Sequence, residues 1–358
     1  MRRFADPLAR FAGRIDWIEL VVGFACNCRC RVCSSGLLDP RLRLSEDELA
    51  AWLERGRKLG ATGVWFGGGE PTLHEGLPRA VERARRLGYW RIRLQTNGLR
   101  LAYPDYLAAL RRAGLTEVAL SVKGWDARSH DEMARRPGAW ELLGRAAAGV
   151  REAGLRLEAD VLLTPPLLPH LPRLVRDLAG RGVQRLTFWL VSLHGAPDDA
   201  AVPPLVPPLA ALRQPLRKAF ARAARCGVAA TSLHTPPCAL APEDRDRYLH
   251  SGRYRLLVVV PGSEPFLAEE SPMERGEHPA EPCGGCAVRE DCLGLRADQL
   301  RRFGVAGLAP VAAPPHPRSR SPGGERLTPR PARNCARPPA RPLRRRQRTA
   351  RRPAQGPR

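Results

Sequence analysis

Eight residues, Cys26-Asn27-Cys28-Arg29-Cys30-Arg31-Val32-Cys33, carry four thiols directly after the apolar run from Trp17 to Phe24. Thiolates this close can surround a metal centre from a single loop, and in a reducing compartment such clustering points to metal binding more than to disulfides. Cys26, Cys30 and Cys33 form a C-x3-C-x2-C set that leaves Cys28 as a surplus. Three thiolates can hold three corners of a [4Fe-4S] cluster while the fourth iron keeps an open position, which is where a metal centre binds and activates a substrate. Four thiolates can also knot a structural zinc, and the spacing alone admits both.

A second group, Cys283, Cys286 and Cys292, places three thiols within ten residues, and Cys238 is the best-placed fourth. Iron–sulfur and zinc chemistry both suit this set. Cys226 lies on the face of an expected helix and reads as packed, and Cys335 stands alone in a basic tail.

The elements that would position these thiols alternate. Strand-like runs cover Trp17–Gly23, Gly63–Gly67, Arg91–Gln95, Glu117–Val122, Leu157–Leu163 and Arg185–Val191. Helical spacing fills Ser45–Leu59, His74–Leu87, Pro104–Ala113, Asp126–Ala153 and Leu168–Gly182, the first opening on a capping-box pattern at Ser45 to Glu48. Such alternation predicts an α/β fold with a parallel sheet and right-handed crossovers, whose ligands gather at the C-terminal ends of the strands. Those ends are polar and glycine-rich: the cysteine loop, Gly67-Gly68-Gly69-Glu70-Pro71, Thr96-Asn97-Gly98, Ser121-Val122-Lys123-Gly124, and Ser192-Leu193-His194-Gly195. Glycines let the backbone approach a ligand closely. A lone His194 and Asp160 are not assigned catalytic roles.

At 358 residues with 43% apolar content the chain can bury a large core. No apolar stretch is long enough to predict a membrane span, and Met1-Arg2-Arg3-Phe4 is not followed by the apolar segment of a secretory signal, so a cytoplasmic location is expected. The net charge of +23 suggests nucleic-acid binding until it is located: residues 313–358 hold fourteen arginines, one glutamate and eleven prolines. That tail lacks the apolar residues to offset its ordering entropy and has no aromatics for base stacking, so 311–358 is expected to be disordered and nucleic acid is not an expected partner. The divisions expected are a core over 14–202, a linker and closing helix over 203–230, a small cysteine-containing domain over 231–310, and the tail.

The C-x3-C-x2-C loop, followed about forty residues later by Gly68-Gly69-Glu70-Pro71, then by Thr96-Asn97-Gly98, His130-Asp131 and Pro137-Gly138, resembles the radical S-adenosylmethionine (SAM) superfamily over residues 14–200. The resemblance implies a partial (β/α)6 TIM-like barrel. It implies that Cys26, Cys30 and Cys33 ligate a [4Fe-4S] cluster whose open iron is chelated by SAM, with Gly68, Gly69 and Glu70 by the methionine moiety and Asn97 and Ser121 near cofactor or substrate. It further implies reductive cleavage of SAM to a 5′-deoxyadenosyl radical that abstracts hydrogen from a substrate, with the electron coming from a donor such as flavodoxin or ferredoxin. Cys28 departs from the usual pattern and is expected to point away from the cluster. Cys238, Cys283, Cys286 and Cys292 resemble a SPASM or twitch extension; being too few for the full SPASM set, they imply one auxiliary [4Fe-4S] cluster. Peptide maturation is the substrate class put first. Small-molecule cofactor or natural-product synthesis, RNA modification, and a non-enzymatic iron–sulfur or zinc scaffold are the alternatives.

Overall fold

The computed structural model describes residues 7–33, 38–191, 205–271 and 274–313. Most of the expected tail, His194 and Cys335 therefore lie outside the described residues. Six strands follow the expected order: β1 (Trp17–Val21), β2 (Gly63–Gly67), β3 (Arg91–Thr96), β4 (Glu117–Val122), β5 (Arg156–Leu163) and β6 (Arg185–Leu190). Each pairs in parallel with the next. The crossovers are α1 (Glu46–Leu59), α2 (Leu77–Arg86), α3 (Pro104–Ala113), α4 (Ala127–Ala134), α5 (Ala139–Glu152) and α6 (Leu171–Gly180). The capping box is formed: Ser45 Oγ accepts from Glu48 N, while Glu48 accepts from Ser45 N at 2.7 Å.

The helix expected over Asp126–Ala153 is two helices. Arg135 adopts a left-handed conformation (φ 48°) and Gly138 another (φ 80°), and Pro137 between them cannot continue a helical ladder. Asp131 then caps the second helix, accepting from Gly138 N at 2.6 Å and Trp140 N at 2.8 Å. Breaking the segment here exposes the last carbonyls of α4, and the cysteine loop uses them, as described below.

The sheet also runs across the expected boundary at 231. Helix α7 (Arg213–Arg225) leads into β7 (Ala229–Leu233) and β8 (Tyr248–Leu249), both parallel to their neighbours beyond β6. The chain then returns to the opposite edge, where β9 (Leu256–Val259) pairs in parallel with β1, and β10 (Phe266–Leu267) closes antiparallel on β9. The result is one ten-stranded sheet, ordered β10-β9-β1-β2-β3-β4-β5-β6-β7-β8. Covering the β1 edge with the fully apolar Leu256–Val259 removes a row of unpaired backbone groups beside the cysteine loop. The main core is the layer between the sheet and helices α1–α3 and α5–α7, with Ile18, Leu20, Val64, Phe66, Ile92, Leu94 and Phe188 inaccessible to solvent. On the other face the sheet curves, so that Trp17 and Trp65 cluster with Leu256 and Val258, and Trp189 of β6 packs on the same group. The arrangement is α/β with a parallel sheet, consistent with a partial TIM-like barrel. Among the described residues no helix is long and apolar enough to cross a membrane.

Candidate metal and cofactor site

The curved face encloses a cavity of about 1950 Å3 of empty volume, its open mouth included. Its rim is made by the C-terminal strand ends: Cys26, Cys28, Cys30 and Cys33 after β1, Gly68 and Gly69 after β2, Thr96 and Asn97 after β3, and Ser121 and Lys123 at β4. Thus all of the site residues expected in the core except Glu70 line one cavity.

The cysteine loop is held from two sides. On one, Gly69 N donates to Gly23 O at 2.9 Å and Glu70 N to Ala25 O at 2.8 Å. This contact is why the run is glycine: a Cβ on Gly69 would lie 2.5 Å from the carbonyl oxygens of both Phe24 and Ala25, and one on Gly68 (φ 127°) 2.5 Å from that of Gly23. On the other side, Arg29 N and Arg31 N donate to the last carbonyls of α4, Ala134 O at 3.2 Å and Met133 O at 2.9 Å. A helix end thereby finds partners for acceptors that have none within the helix.

Glu70 lines a neighbouring cavity with Gly23, Ala25 and His74. Its buried carboxylate accepts from Thr72 N (3.1 Å), Thr72 Oγ1 (2.6 Å), Thr96 Oγ1 (2.7 Å) and Asn97 N (2.8 Å). Three of these donors reach Oε1 and the fourth, Asn97 N, reaches Oε2, so Glu70 ties the end of β2 to the end of β3. Asn97, positioned by that clamp, donates from Nδ2 to Asn27 Oδ1 at 2.7 Å and lies 3.6 Å from Cys28 Sγ. The Asn27–Asn97 pair carries no signal in the sequence beyond the Thr96-Asn97-Gly98 turn.

Cys28 lies beside the other thiols of its loop. The loop closes tightly enough for Cys28 N to donate to Cys26 Sγ at 3.4 Å, and the Cys28 thiol bridges the side chains of Cys26 and Cys30. Those hydrogen bonds push the Cys28 thiol well up and pull its neighbours down, Cys30 to about 6 with help from the Lys123 ammonium. Lys123 is itself held, its Nζ donating to Ser121 Oγ at 2.9 Å. A positive charge beside the thiols favours the thiolate form that ligates metal.

The four C-terminal cysteines also converge. Cys238, Cys283, Cys286 and Cys292 line a separate cavity of about 320 Å3 of empty volume, walled by Pro237, Pro282, Val288 and Leu295. Burial pushes the Cys238 thiol up to about 12, with the other three thiols adding to the effect. Burial raises Cys292 too, against hydrogen bonds from Gly294 N (3.3 Å) and the Tyr248 hydroxyl. His278 Nε2 sits 3.1 Å from Cys292 O. Among the described residues, these and the N-terminal cysteines included, no three His, Cys, Asp or Glu side chains are grouped closely enough to hold a metal ion. Cys226 is buried in the main core.

Asp160, inside the sheet, belongs to a buried network: Gln95 Nε2 donates to it at 2.8 Å, and Arg93 pairs with Glu158 at 2.6 Å and with Asp160 at 3.5 Å.

Three comparisons bear on this site. The chain is 31% identical over 176 residues to a probable GTP 3',8-cyclase of Methanopyrus kandleri, covering 49% of this chain and 55% of that protein. It is 30% identical over 173 residues to a PqqA peptide cyclase of Xanthomonas campestris pv. campestris, covering 48% of this chain and 45% of the relative. It thus spans about half the length of the curated relatives it matches. In fold it is similar to Streptococcus suis SuiB, in a crystal structure bound to S-adenosylmethionine, with a TM-score of 0.61 at 14% identity, covering 83% of this chain and 76% of that one. Residues 20–178 match the Radical SAM superfamily model and form a domain of that superfamily.

Proposed function

We propose that the chain is an enzyme in which Cys26, Cys30 and Cys33 hold a [4Fe-4S] cluster and SAM occupies the cavity beside it. The observation that carries this reading is the shared wall: these three thiols face the same cavity as Gly68, Gly69, Asn97 and Ser121, at the C-terminal ends of parallel strands. The donor set fits the group, since thiolates are the ligands of iron–sulfur clusters and three of them leave one iron open. When bound, cluster and SAM supply one-electron reductive cleavage and hydrogen-atom abstraction from a substrate, the electron coming from a small donor such as flavodoxin or ferredoxin.

The chain's own residues supply geometry and exclusion of water. Lys123 favours ionised thiols, the Glu70 clamp fixes Asn97 against the loop, and Val21, Leu162, Trp189, Val191, Leu256 and Val258 give the cavity apolar walls. Cys238, Cys283, Cys286 and Cys292 are assigned to an auxiliary [4Fe-4S] cluster of a twitch-like region. What supports the assignment is that all four thiols line one cavity. A peptide is the substrate class favoured, supported by the PqqA peptide cyclase relative. The GTP 3',8-cyclase relative supports a nucleotide-like small molecule as the second reading.

The test is anaerobic reconstitution with iron and sulfide, followed by SAM and dithionite. The expected product is 5′-deoxyadenosine from the wild type and none from Cys30→Ser. A wild-type protein with a demonstrable cluster and no 5′-deoxyadenosine would overturn the reading.

A further inference from the structure

Deep in the large cavity, one carboxyl is left over. Glu19 of β1 lines the cavity wall and has no hydrogen bond or ion pair among the described residues. The charged groups around it are already committed. Arg93 pairs with Glu158 and Asp160, and Glu274 pairs with His234 at 3.0 Å and with Arg296 at 3.7 Å.

Directly across the strand pair, Trp65 is the register partner of Glu19. Trp65 is 5% exposed, lines the same cavity, and its Nε1 is buried with no hydrogen-bond partner. The two groups flank one spot. The position a Cβ would take on Gly67, at the end of β2, lies 2.9 Å from Glu19 Oε1, 3.8 Å from Trp65 Nε1 and 3.8 Å from Gln95 Oε1. The Gln95 amide is turned this way because its Nε2 donates to Asp160. Two oxygen acceptors, Glu19 Oε1 and Gln95 Oε1, thus converge beside Gly67 and belong to residues that line the cavity space there, one of them a carboxyl with no ion pair of its own.

We infer that this space is a subsite for a protonated nitrogen of the substrate, a primary ammonium or a guanidinium, held by Glu19 and Gln95. Such a group carries several N–H donors for the two acceptors and supplies the positive charge that Glu19 lacks. Glu19 is half-buried, and a carboxylate shielded from solvent without a partner is costly. In the unliganded cavity the carboxyl responds as expected for a group awaiting a partner: burial and the Glu274 charge push it up to about 7, against the pull of Arg93. The subsite lies below the strand ends that carry the cysteines, so a side chain reaching it presents its stem to the reacting end of the cavity. This inference rests on reading the cavity as the substrate chamber of a radical SAM enzyme.

The test is binding of n-butylammonium, n-butylguanidinium and the uncharged valeramide to the reconstituted full-length protein, by calorimetric or NMR titration. At least one cation should bind about tenfold or more tightly than valeramide, and the two cations tell amine from guanidine substrates. The preference should vanish in Glu19→Gln. It should also fall in Gly67→Ala, whose methyl would displace the tip of the Glu19 side chain, so this variant serves if Glu19→Gln does not fold. Equal binding of valeramide, no binding of either cation, or cation binding unchanged in both variants would overturn the subsite. Binding needs no turnover. A wild type that shows no preference but still forms 5′-deoxyadenosine sinks the subsite alone, while a wild type that shows the preference without forming 5′-deoxyadenosine sinks the reaction and leaves the subsite standing.

Discussion

Replacing Glu70 separates two roles that a cofactor-contacting and a structural glutamate would share. Its carboxylate satisfies four donors, two of them the backbone N–H groups of Thr72 and Asn97, at a residue 3% exposed. In Glu70→Ala those donors lose their acceptor inside the fold. Each buried unpaired group costs about 1–3 kcal/mol, and because four share one carboxylate the sum is not additive; the expected loss is about 3–5 kcal/mol. Glu70→Gln keeps the volume and one acceptor oxygen but turns an NH2 toward a donor, so it should lose about 1–3 kcal/mol. Against a typical stability of about 5–15 kcal/mol the Ala variant is severely weakened. Urea unfolding gives the loss directly, and bound iron after reconstitution reports the loop, since the clamp holds Asn97 against Asn27. The expected order in both readouts is wild type, then Gln, then Ala. An Ala variant within about 0.5 kcal/mol of wild type would refute the clamp and return Glu70 to a role at the ligand.

Gly69→Ala puts a methyl against two backbone carbonyls that cannot move aside singly, so iron loading should fall several-fold; loading equal to wild type would show the contact to be dispensable. Stability against pH tests Glu19. Its folded pKa of about 7 stands above the ordinary 4.5, so the wild type loses stability relative to Glu19→Gln as pH rises from 4.5 to 7, by at most about 3 kcal/mol, and a pH-independent difference would contradict this burial. Removing Cys26, Cys30 and Cys33 together should leave about four irons per chain on the second cysteine set; a value near zero with zinc retained would remove the auxiliary cluster.

Much of this was legible because it is local. The six strands from Trp17 to Leu190 follow from apolar runs bounded by Gly or charge, and the Ser45 capping box from four consecutive residues. The same local view missed what depends on pairing at a distance. Leu256–Val259 reads as a short apolar run, and nothing near it says that it lies beside Trp17–Leu20, some 240 residues earlier. One helix over Asp126–Ala153 was the natural expectation from spacing, although Pro137-Gly138 and Asp131 marked the break. The cysteines were recognisable by type and interval, but the bridging position of Cys28 depends on how the loop is pinned to Gly23, Ala25, Met133 and Ala134. Glu70 stands out in the sequence within Gly68-Gly69-Glu70-Pro71, but its bonds from the Thr72 and Thr96 hydroxyls could not be read there, because those groups become close only when β2 and β3 pair.

Whether Cys26, Cys30 and Cys33 hold a cluster with one iron open to SAM is tested by electron paramagnetic resonance of the dithionite-reduced, reconstituted protein, with and without SAM. The expected result is a reduced-cluster signal whose shape changes on adding SAM, and no SAM-dependent change in the variant lacking those three cysteines. A signal that SAM leaves unaltered in the wild type, or a SAM-dependent change that survives loss of the three cysteines, would contradict it.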